Sequence, residues 1–234
     1  MSTDVTALFD RGGRDYDALV AANPGYHRDL ARSARRLGIA GGGQGLRLLD
    51  VGCGTGASTR ALHEVFPDAS ITAVDGSARM LARAREKAWP ATVRFVHADA
   101  RRLPEAGVRG PFDGILAAYL VRNLPEPDAG LRLLRDLLRP GAPLAVHDYS
   151  LPRRKADRLL WHAVCWSVII PAGRCVTGDA SLYRYLWRSV LDFDSPPRFE
   201  ARLRQAGFDR VRREPMSGWQ RTLTHTFLGV RPDA

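Results

Sequence analysis

Residues 46–56, Leu-Arg-Leu-Leu-Asp-Val-Gly-Cys-Gly-Thr-Gly, end a short apolar run in three glycines at alternate positions. Leu46, Leu48, Leu49 and Val51 suit a strand buried on both faces. The spacing of Ala57, Ala61, Leu62 and Val65 predicts a helix directly after it. Lacking Cβ atoms, Gly52, Gly54 and Gly56 permit a tight turn, close approach of a ligand to the backbone and close packing of helix on strand. A second run, 71–74, ends in Asp75 about 20 residues beyond the glycines, where an acidic side chain can accept hydrogen bonds from ribose hydroxyls. Strand, glycine turn, helix and acidic strand end together predict an open α/β sheet with a nucleotide-type site.

The rest of the chain repeats that unit. The segment 77–89 reads as a helix with Ser77 as N-cap, ended by Pro90, and 93–96 as a third strand closed by His97-Ala98-Asp99-Ala100. Strands at 112–119 and 143–149 flank a helix at about 128–138, which Arg139-Pro140-Gly141 stops. This alternation predicts a doubly wound, mostly parallel sheet that binds ligands at the carboxyl ends of its strands. We divide the chain into a helical lead-in or lid (1–45), a core (46–150), an aromatic-rich cap insertion (151–195), and a helix with closing strands (196–234).

In the lead-in, Phe9, Tyr16, Leu19 and Val20 suit one apolar face, and Tyr26, Leu30, Ala34 and Leu37 another. Arg28, Arg32, Arg35 and Arg36 fall on successive turns, the pattern of a solvated helix face. In the last strand Leu223, His225 and Phe227 share a face by the period of two, aiming His225 at a site near the sheet's end.

Composition limits the partners. Of the 35 basic residues all but Lys87 and Lys155 are arginine, and they are scattered, so the net charge of +10 does not by itself imply nucleic acid. Neither a basic-aromatic module nor an Asn-Pro-Pro-Tyr-like motif is present, and no nucleic-acid partner is expected. Cys53, Cys165 and Cys175 have no Cys-x-x-Cys spacing, which fits a reducing cytoplasm, and no metal is expected. There is no signal-like segment, and the longest apolar stretch, 159–170, contains His162 and falls short of the roughly 20 residues of a bilayer span. A protein that is soluble or peripheral to the inner face of a membrane is expected. After Gly56 no Gly-x-x-Gly continuation follows, which disfavours a dinucleotide oxidoreductase.

An ordered set of motifs resembles the class I S-adenosylmethionine-dependent methyltransferases and, more narrowly, the ubiquinone/menaquinone biosynthesis C-methyltransferases. It runs from Phe9-Asp10, Tyr16-Asp17 and Gly25-Tyr26-His27-Arg28 through Leu49-Asp50-Val51-Gly52-Cys53-Gly54-Thr55-Gly56, Val74-Asp75, Met80-Leu81 and Ala98-Asp99-Ala100. It continues through Arg122-Asn123, Asp148-Tyr149-Ser150-Leu151-Pro152, Tyr183-Arg184-Tyr185-Leu186, Ser189-Val190 and Thr224-His225. The resemblance implies a seven-stranded sheet with S-adenosylmethionine as cofactor. It places Gly52, Gly54, Thr55 and Gly56 around the methionine part, Asp75 on the ribose, and Asp99 with Ala100 on the adenine; Asp50, Met80 and Ala118 complete the cofactor-binding set. Taken singly, Asp75 before Gly76 also reads as a turn former and Asp99 before Arg101 as a helix cap. Where the family commonly has Ser-Phe-Gly-Leu-Arg-Asn this chain has 118–123, Ala-Tyr-Leu-Val-Arg-Asn, and where it has an acidic residue before Phe-Ser the chain reads His147-Asp148-Tyr149. Around Trp219-Gln220 the usual Gly-Ile is missing.

The implied reaction is C-methylation of a small aromatic quinol, such as prenylated demethylmenaquinol. A neutral hydroquinone carbon is a poor nucleophile; loss of a phenolic proton enriches the ring, and a closed, low-dielectric site favours the charge neutralisation that follows. The expected catalytic set is His225 as base, a position that suits a structural histidine at least as well, Arg122 on a phenolate oxygen or a water, Asn123 on a ring substituent, and Asp148 with Tyr149 facing substrate. Trp161, Trp166, Ile169 and Ile170 suit a membrane contact or a prenyl tail, though an apolar helix is more often a core element. Methylation of another small aromatic metabolite, at carbon or oxygen, is the main alternative, and a non-catalytic binding protein on this fold the remoter one. The oligomeric state stays open, a homodimer included.

Overall fold

Leu48 and Leu49 are both fully buried, so the first strand is covered on both sides. That is the condition of a parallel sheet sandwiched between helices. The computed structural model describes residues 25–233. The first lead-in face, at Phe9, Tyr16, Leu19 and Val20, lies outside them. Helix α1 (Tyr26–Arg35) precedes an alternating run of β1 (Arg47–Val51), α2 (Ala57–Val65), β2 (Ser70–Asp75), α3 (Ala78–Arg85), β3 (Val93–His97), β4 (Gly114–Ala118), α4 (Pro127–Leu137) and β5 (Pro143–Tyr149). A helical cap follows, α5 (Lys155–Val164) passing through a π turn (Cys165–Ile169) into α6 (Ile170–Thr177), and then α7 (Ser181–Asp192). Helix α8 (Pro196–Gln205), β6 (Asp209–Pro215) and β7 (Thr224–Val230) close the fold.

The seven strands are ordered β3-β2-β1-β4-β5-β7-β6, with only β7 antiparallel to its neighbours. The expected doubly wound, seven-stranded architecture is therefore present. Alternate residues go to opposite faces: Leu49, Ile115, Leu144 and Phe227 pack with Phe199 and Leu203 of α8, while Leu48, Leu116, Ala145 and Leu228 pack with Ala34 of α1 and Leu62 of α2. The edge strand β6 is exposed along most of its length and carries Arg210, Arg212 and Arg213, charges that discourage a further strand from pairing there.

Several boundaries differ from the sequence expectation for local reasons. Helix α3 stops at Arg85 rather than near Trp89, because the Trp89 indole N–H turns back onto the Ala84 carbonyl at 2.6 Å. Strand β4 begins at Gly114; Phe112 makes an isolated bridge to Leu138. Strand β7 starts at Thr224, because a 3-10 turn (Gly218–Gln220) takes up the preceding residues, so Leu223 precedes the strand that carries His225 and Phe227. The cap helix stays continuous past Pro171 because the π turn lets the Ile170 N–H reach Cys165 O, widening the helix just ahead of the proline ring.

Arg36 corrects the expectation of a solvated arginine face on α1. Its guanidinium pairs with Glu214 at 2.8 Å and donates to Thr226 Oγ1 at 2.7 Å and to the carbonyls of Glu214 and Pro215 at 3.0 and 2.8 Å. Helix α1 is thus tied to β6 and β7. Replacing Arg36 by Met, which keeps the stem and removes these bonds, is expected to cost about 2–4 kcal/mol of stability, read from the denaturant midpoint at unchanged slope.

Candidate active site

The chain runs outward from β1 to β2 and β3, then returns to place β4 on the other side of β1. Loops leaving the carboxyl ends of β1 and β4 therefore diverge and leave a crevice. A cavity of about 860 Å³ occupies it. One wall is the glycine turn, with Gly52, Cys53, Gly54 and Thr55; Asp75, Ser77 and Met80 follow from the β2 end, and Ala98, Asp99 and Ala100 from the β3 end. The opposite wall carries Ala118, Tyr119, Arg122 and Asn123 from the β4 end, Tyr26 from α1 and Tyr185 from the cap.

The turn is shaped for a ligand. Gly54 has φ +54°, and a Cβ placed on it would meet no protein atom within 4 Å, so its backbone is open to an incoming group. Its N–H donates to Asp75 Oδ2 at 2.7 Å, while Asp75 Oδ1 accepts from the Ser77 N–H at 2.8 Å. The carboxylate is thereby fixed at the cavity edge, an acceptor suited to vicinal hydroxyls. Asp99 accepts from the Arg101 N–H at 2.9 Å and from its guanidinium, which hold its pKa below the usual carboxylate range. Met80, Ala98 and Ala118 supply apolar surface beside these carboxylates. The volume, towards the upper end of the roughly 300–1,000 Å³ of small-molecule pockets, accommodates a nucleoside-sized group together with an acceptor. These residues fit S-adenosylmethionine.

Two residues of the expected cofactor set stand behind the wall. A Cβ on Gly56 would lie 2.8 Å from the Trp89 ring, so this glycine serves helix packing at a φ of +91°. Asp50 is fully buried and accepts from Ser58 Oγ at 2.8 Å and Thr59 Oγ1 at 2.6 Å, pinning the glycine turn to the start of α2. Burial pushes its pKa up to about 7, against the pull of the two hydroxyls.

The β4 wall holds the charged centre. Arg122 Nε donates to Asp148 Oδ1 at 3.1 Å, with the side chains 4% and 0% exposed. Nη1 donates to Asn123 Oδ1 at 3.2 Å and to Ser189 Oγ. The Tyr185 hydroxyl donates to the same Asn123 Oδ1 at 3.0 Å, and Asn123 Nδ2 donates to the Tyr119 carbonyl at 2.8 Å. Arg122 Nη2 has no hydrogen bond among the described residues. Burial raises the Asp148 carboxyl against the opposing pull of Arg122. Burial likewise raises the Tyr185 phenol. The sequence expectation omitted Tyr185 and Ser189 from the site, although both lie in motifs quoted for the family resemblance.

The remaining expected residues are placed away from the lining. Asp148 acts through Arg122. Tyr149 is buried behind Tyr119, with ring centroids 5.2 Å apart, and continues to Trp161 at 5.3 Å. His225 sits opposite Asp148 on β7, 4% exposed, with its ring against Phe227, and neither ring nitrogen makes a hydrogen bond among the described residues. Burial draws its pKa down to about 4. The structure does not bring it together with Arg122 and Asn123 at the cavity.

Tyr119 adopts φ +55°, rare for a bulky residue and a form of strain that clusters at functional sites. Its hydroxyl meets His147 Nε2 at 2.9 Å; His147 Nδ1 meets Ser33 Oγ at 2.8 Å; Ser33 meets Thr226 Oγ1 at 2.8 Å. Arg36 donates to Thr226 Oγ1 at 2.7 Å and so ties the chain of hydroxyls to α1, while either hydroxyl can donate in the Ser33–Thr226 bond. His147 is fully buried, and burial draws its pKa down to about 3, so it stays neutral.

A family model described as the ubiE/COQ5 methyltransferase family matches residues 1–225. A ubiquinone/menaquinone biosynthesis C-methyltransferase UbiE of Bradyrhizobium diazoefficiens is 36% identical over 176 residues, 73% of this chain and 69% of the relative. A 2-phytyl-1,4-naphtoquinone methyltransferase of Thermosynechococcus vestitus is 34% identical over 77% of this chain and 80% of its own length. Among solved structures, the [4+2]-cyclase SpnF matches with a TM-score of 0.72 at 19% identity, covering 100% of this chain and 97% of that one. A Haemonchus contortus phosphoethanolamine N-methyltransferase complex matches at 0.65 and 17%, covering 98% and 58%. The last two are likenesses of fold alone.

Asp148→Ala leaves the Arg122 charge buried and unpaired, an expected loss of about 3–5 kcal/mol in denaturant unfolding, much of which the double variant Arg122→Met/Asp148→Leu should restore. His147 gives a signed pH effect. Its folded pKa lies below its unfolded one, so its contribution is full above pH about 6.5 and is lost as pH falls towards about 3. The stability of the wild type relative to His147→Gln, whose amide does not titrate, should therefore shrink between pH 7 and pH 4 in paired melts.

Proposed function

As the chain belongs to the ubiE/COQ5 methyltransferase family, we propose that it C-methylates a prenylated naphthoquinol of the demethylmenaquinol type, which it meets as a peripheral protein at a membrane surface. It is an S-adenosylmethionine-dependent methyltransferase. When bound, S-adenosylmethionine supplies an electrophilic methyl group on a sulfonium. The glycine turn and Asp75 hold it, with Asp99, Ala100 and Met80 around its base. The observation that carries the acceptor reading is the buried Arg122–Asp148 pair on the wall facing that turn, with Nη2 of Arg122 without a protein partner among the described residues.

Arg122 stabilises the phenolate form of the acceptor. Held by Asp148 and Ser189, the guanidinium needs no reorientation as negative charge develops on the ring oxygen, and water is largely absent to screen it. Asn123 and Tyr185, joined through Asn123 Oδ1, orient the ring beside Arg122. Tyr119 and Tyr26, stacked at 5.7 Å with nearly parallel planes, form the flat surface against which an aromatic acceptor lies. In this reading His225 is a buried residue packed on Phe227 rather than the group that takes the phenolic proton. The likeness to the Thermosynechococcus 2-phytyl-1,4-naphtoquinone methyltransferase supports the naphthoquinol class.

A second reading, a more polar aromatic acceptor, is favoured by the hydrogen bond that brings Tyr119 and His147 together in the acceptor wall. Mass spectrometry after incubation with reduced demethylmenaquinone separates the two: a gain of one methyl on a ring carbon supports the quinol, and no product on it overturns that acceptor. Arg122→Lys should lower turnover by about a hundredfold or more and Tyr185→Phe by about tenfold, with S-adenosylmethionine binding by calorimetry retained. His225→Ala should stay within a few-fold. Asp75→Ala should instead weaken cofactor binding by about tenfold or more.

A further inference from the structure

Four large apolar side chains are exposed in quantity among the described residues, and all lie on the cap: Leu159 at 70%, Val168 at 59%, Trp166 at 50% and Leu160 at 47%. They belong to one continuous helical run, α5 through the π turn into α6, roughly 35 Å long at about 1.5 Å per residue. The run is apolar on two sides. Its inner side sends Trp161, Cys165 and Ile170 into the cap core with Tyr149 and Tyr183. Trp161 and Ile170 thus take the core alternative of the sequence reading, and of the four residues named there Trp166 is the one strongly exposed. With its inner side packed into the cap core, the run presents only its outer face to a surface.

Its charges select the surface. Arg153, Arg154, Lys155 and Arg158 are exposed around the N-terminal end of the run, where Arg158 also donates to the Leu191 carbonyl at 3.2 Å; Arg174 lies towards its other end, and Asp157 is the only acidic residue between 153 and 175. A strip of Leu, Val and Trp bordered by guanidinium and ammonium groups with long apolar stems is the composition of an interfacial helix on an anionic bilayer. A second copy fits worse, because every copy carries the same basic border and a net charge of +10.

The strip is also continuous with the acceptor wall. Trp166 contacts Trp187 with ring centroids 5.6 Å apart, Trp187 O accepts from the Trp161 indole at 3.1 Å, Trp161 meets Tyr149 at 5.3 Å, and Tyr149 meets Tyr119 at 5.2 Å. Resting on the reading that the acceptor carries a prenyl tail, we propose that this outer face of the cap docks flat on an anionic bilayer, with the aromatic seam joining the docked face to the cavity.

The test uses the full chain with phosphatidylcholine vesicles, with and without phosphatidylglycerol. The protein should co-sediment with the anionic vesicles more strongly than with the neutral ones, and less at high salt. Leu159→Ser/Leu160→Ser/Val168→Ser should weaken that binding by about tenfold or more while leaving S-adenosylmethionine binding unchanged. Vesicles should shift the tryptophan emission of the wild type to the blue, and much less so that of Trp166→Phe. Methylation of a long-tailed quinol in vesicles should fall in the triple variant and that of a short-tailed, soluble quinol should not. Equal vesicle binding by wild type and triple variant would overturn the proposal. So would no binding by the wild type, or self-association that the triple variant abolishes. If the wild type methylates neither quinol, the acceptor assignment fails, and vesicle binding judges the surface by itself.

Discussion

A parallel sheet covered on both faces has one place to put chemistry, the edge where its strands end, and one gap in that edge where neighbouring loops part. In this protein the gap lies between β1 and β4, and everything that bears on function is arranged around it. The glycine turn leaves one side with open backbone at Gly54; the segment 118–123 leaves the other with Arg122 and Asn123. Asp50 and Asp148, both fully buried, anchor the two sides, the first through hydroxyls of α2 and the second through Arg122. A buried carboxylate is costly unless partnered, and here each is partnered to the segment it holds in place.

Much of this was legible beforehand because it depends on local pattern. The run of Leu48, Leu49 and Val51 into glycine, the acidic end of β2 and the repeated alternation required only neighbours in sequence to be read. What escaped required knowledge of tertiary neighbours. Arg36 reads as one of four arginines on a solvated helix and instead reaches β6 and β7. His225 reads as aimed at the site because strand period gives a face but not what covers it, and the cover is Phe227 and its neighbours. Tyr185 and Ser189 belong to a cap whose fold no periodicity specifies, so their meeting with Asn123 and Arg122 lay beyond local inference.

The polar chain from Arg36 through Thr226, Ser33 and His147 to Tyr119 joins elements far apart in sequence on the α1 face of the sheet. Apolar residues would pack there at lower cost, because every member of a buried network must be satisfied at once. What the network adds is definition: one ring orientation for His147, and a Tyr119 side chain held in one place despite a left-handed backbone. The Tyr119 wall of the cavity is therefore only as rigid as the seat of α1 on β7.

Strand β7 occupies the slot between β5 and β6, antiparallel to both. During synthesis the β5 edge, Leu144 to Tyr149 and buried throughout in the finished fold, emerges long before the residues that pair with it. For the time the ribosome needs to add the cap and α8, that edge is bare, and its sticky ladder is open to any other extended segment. Because β7 pairs with both β5 and β6 yet follows both in the chain, the sheet cannot be completed until β7 is made, whatever has folded before it.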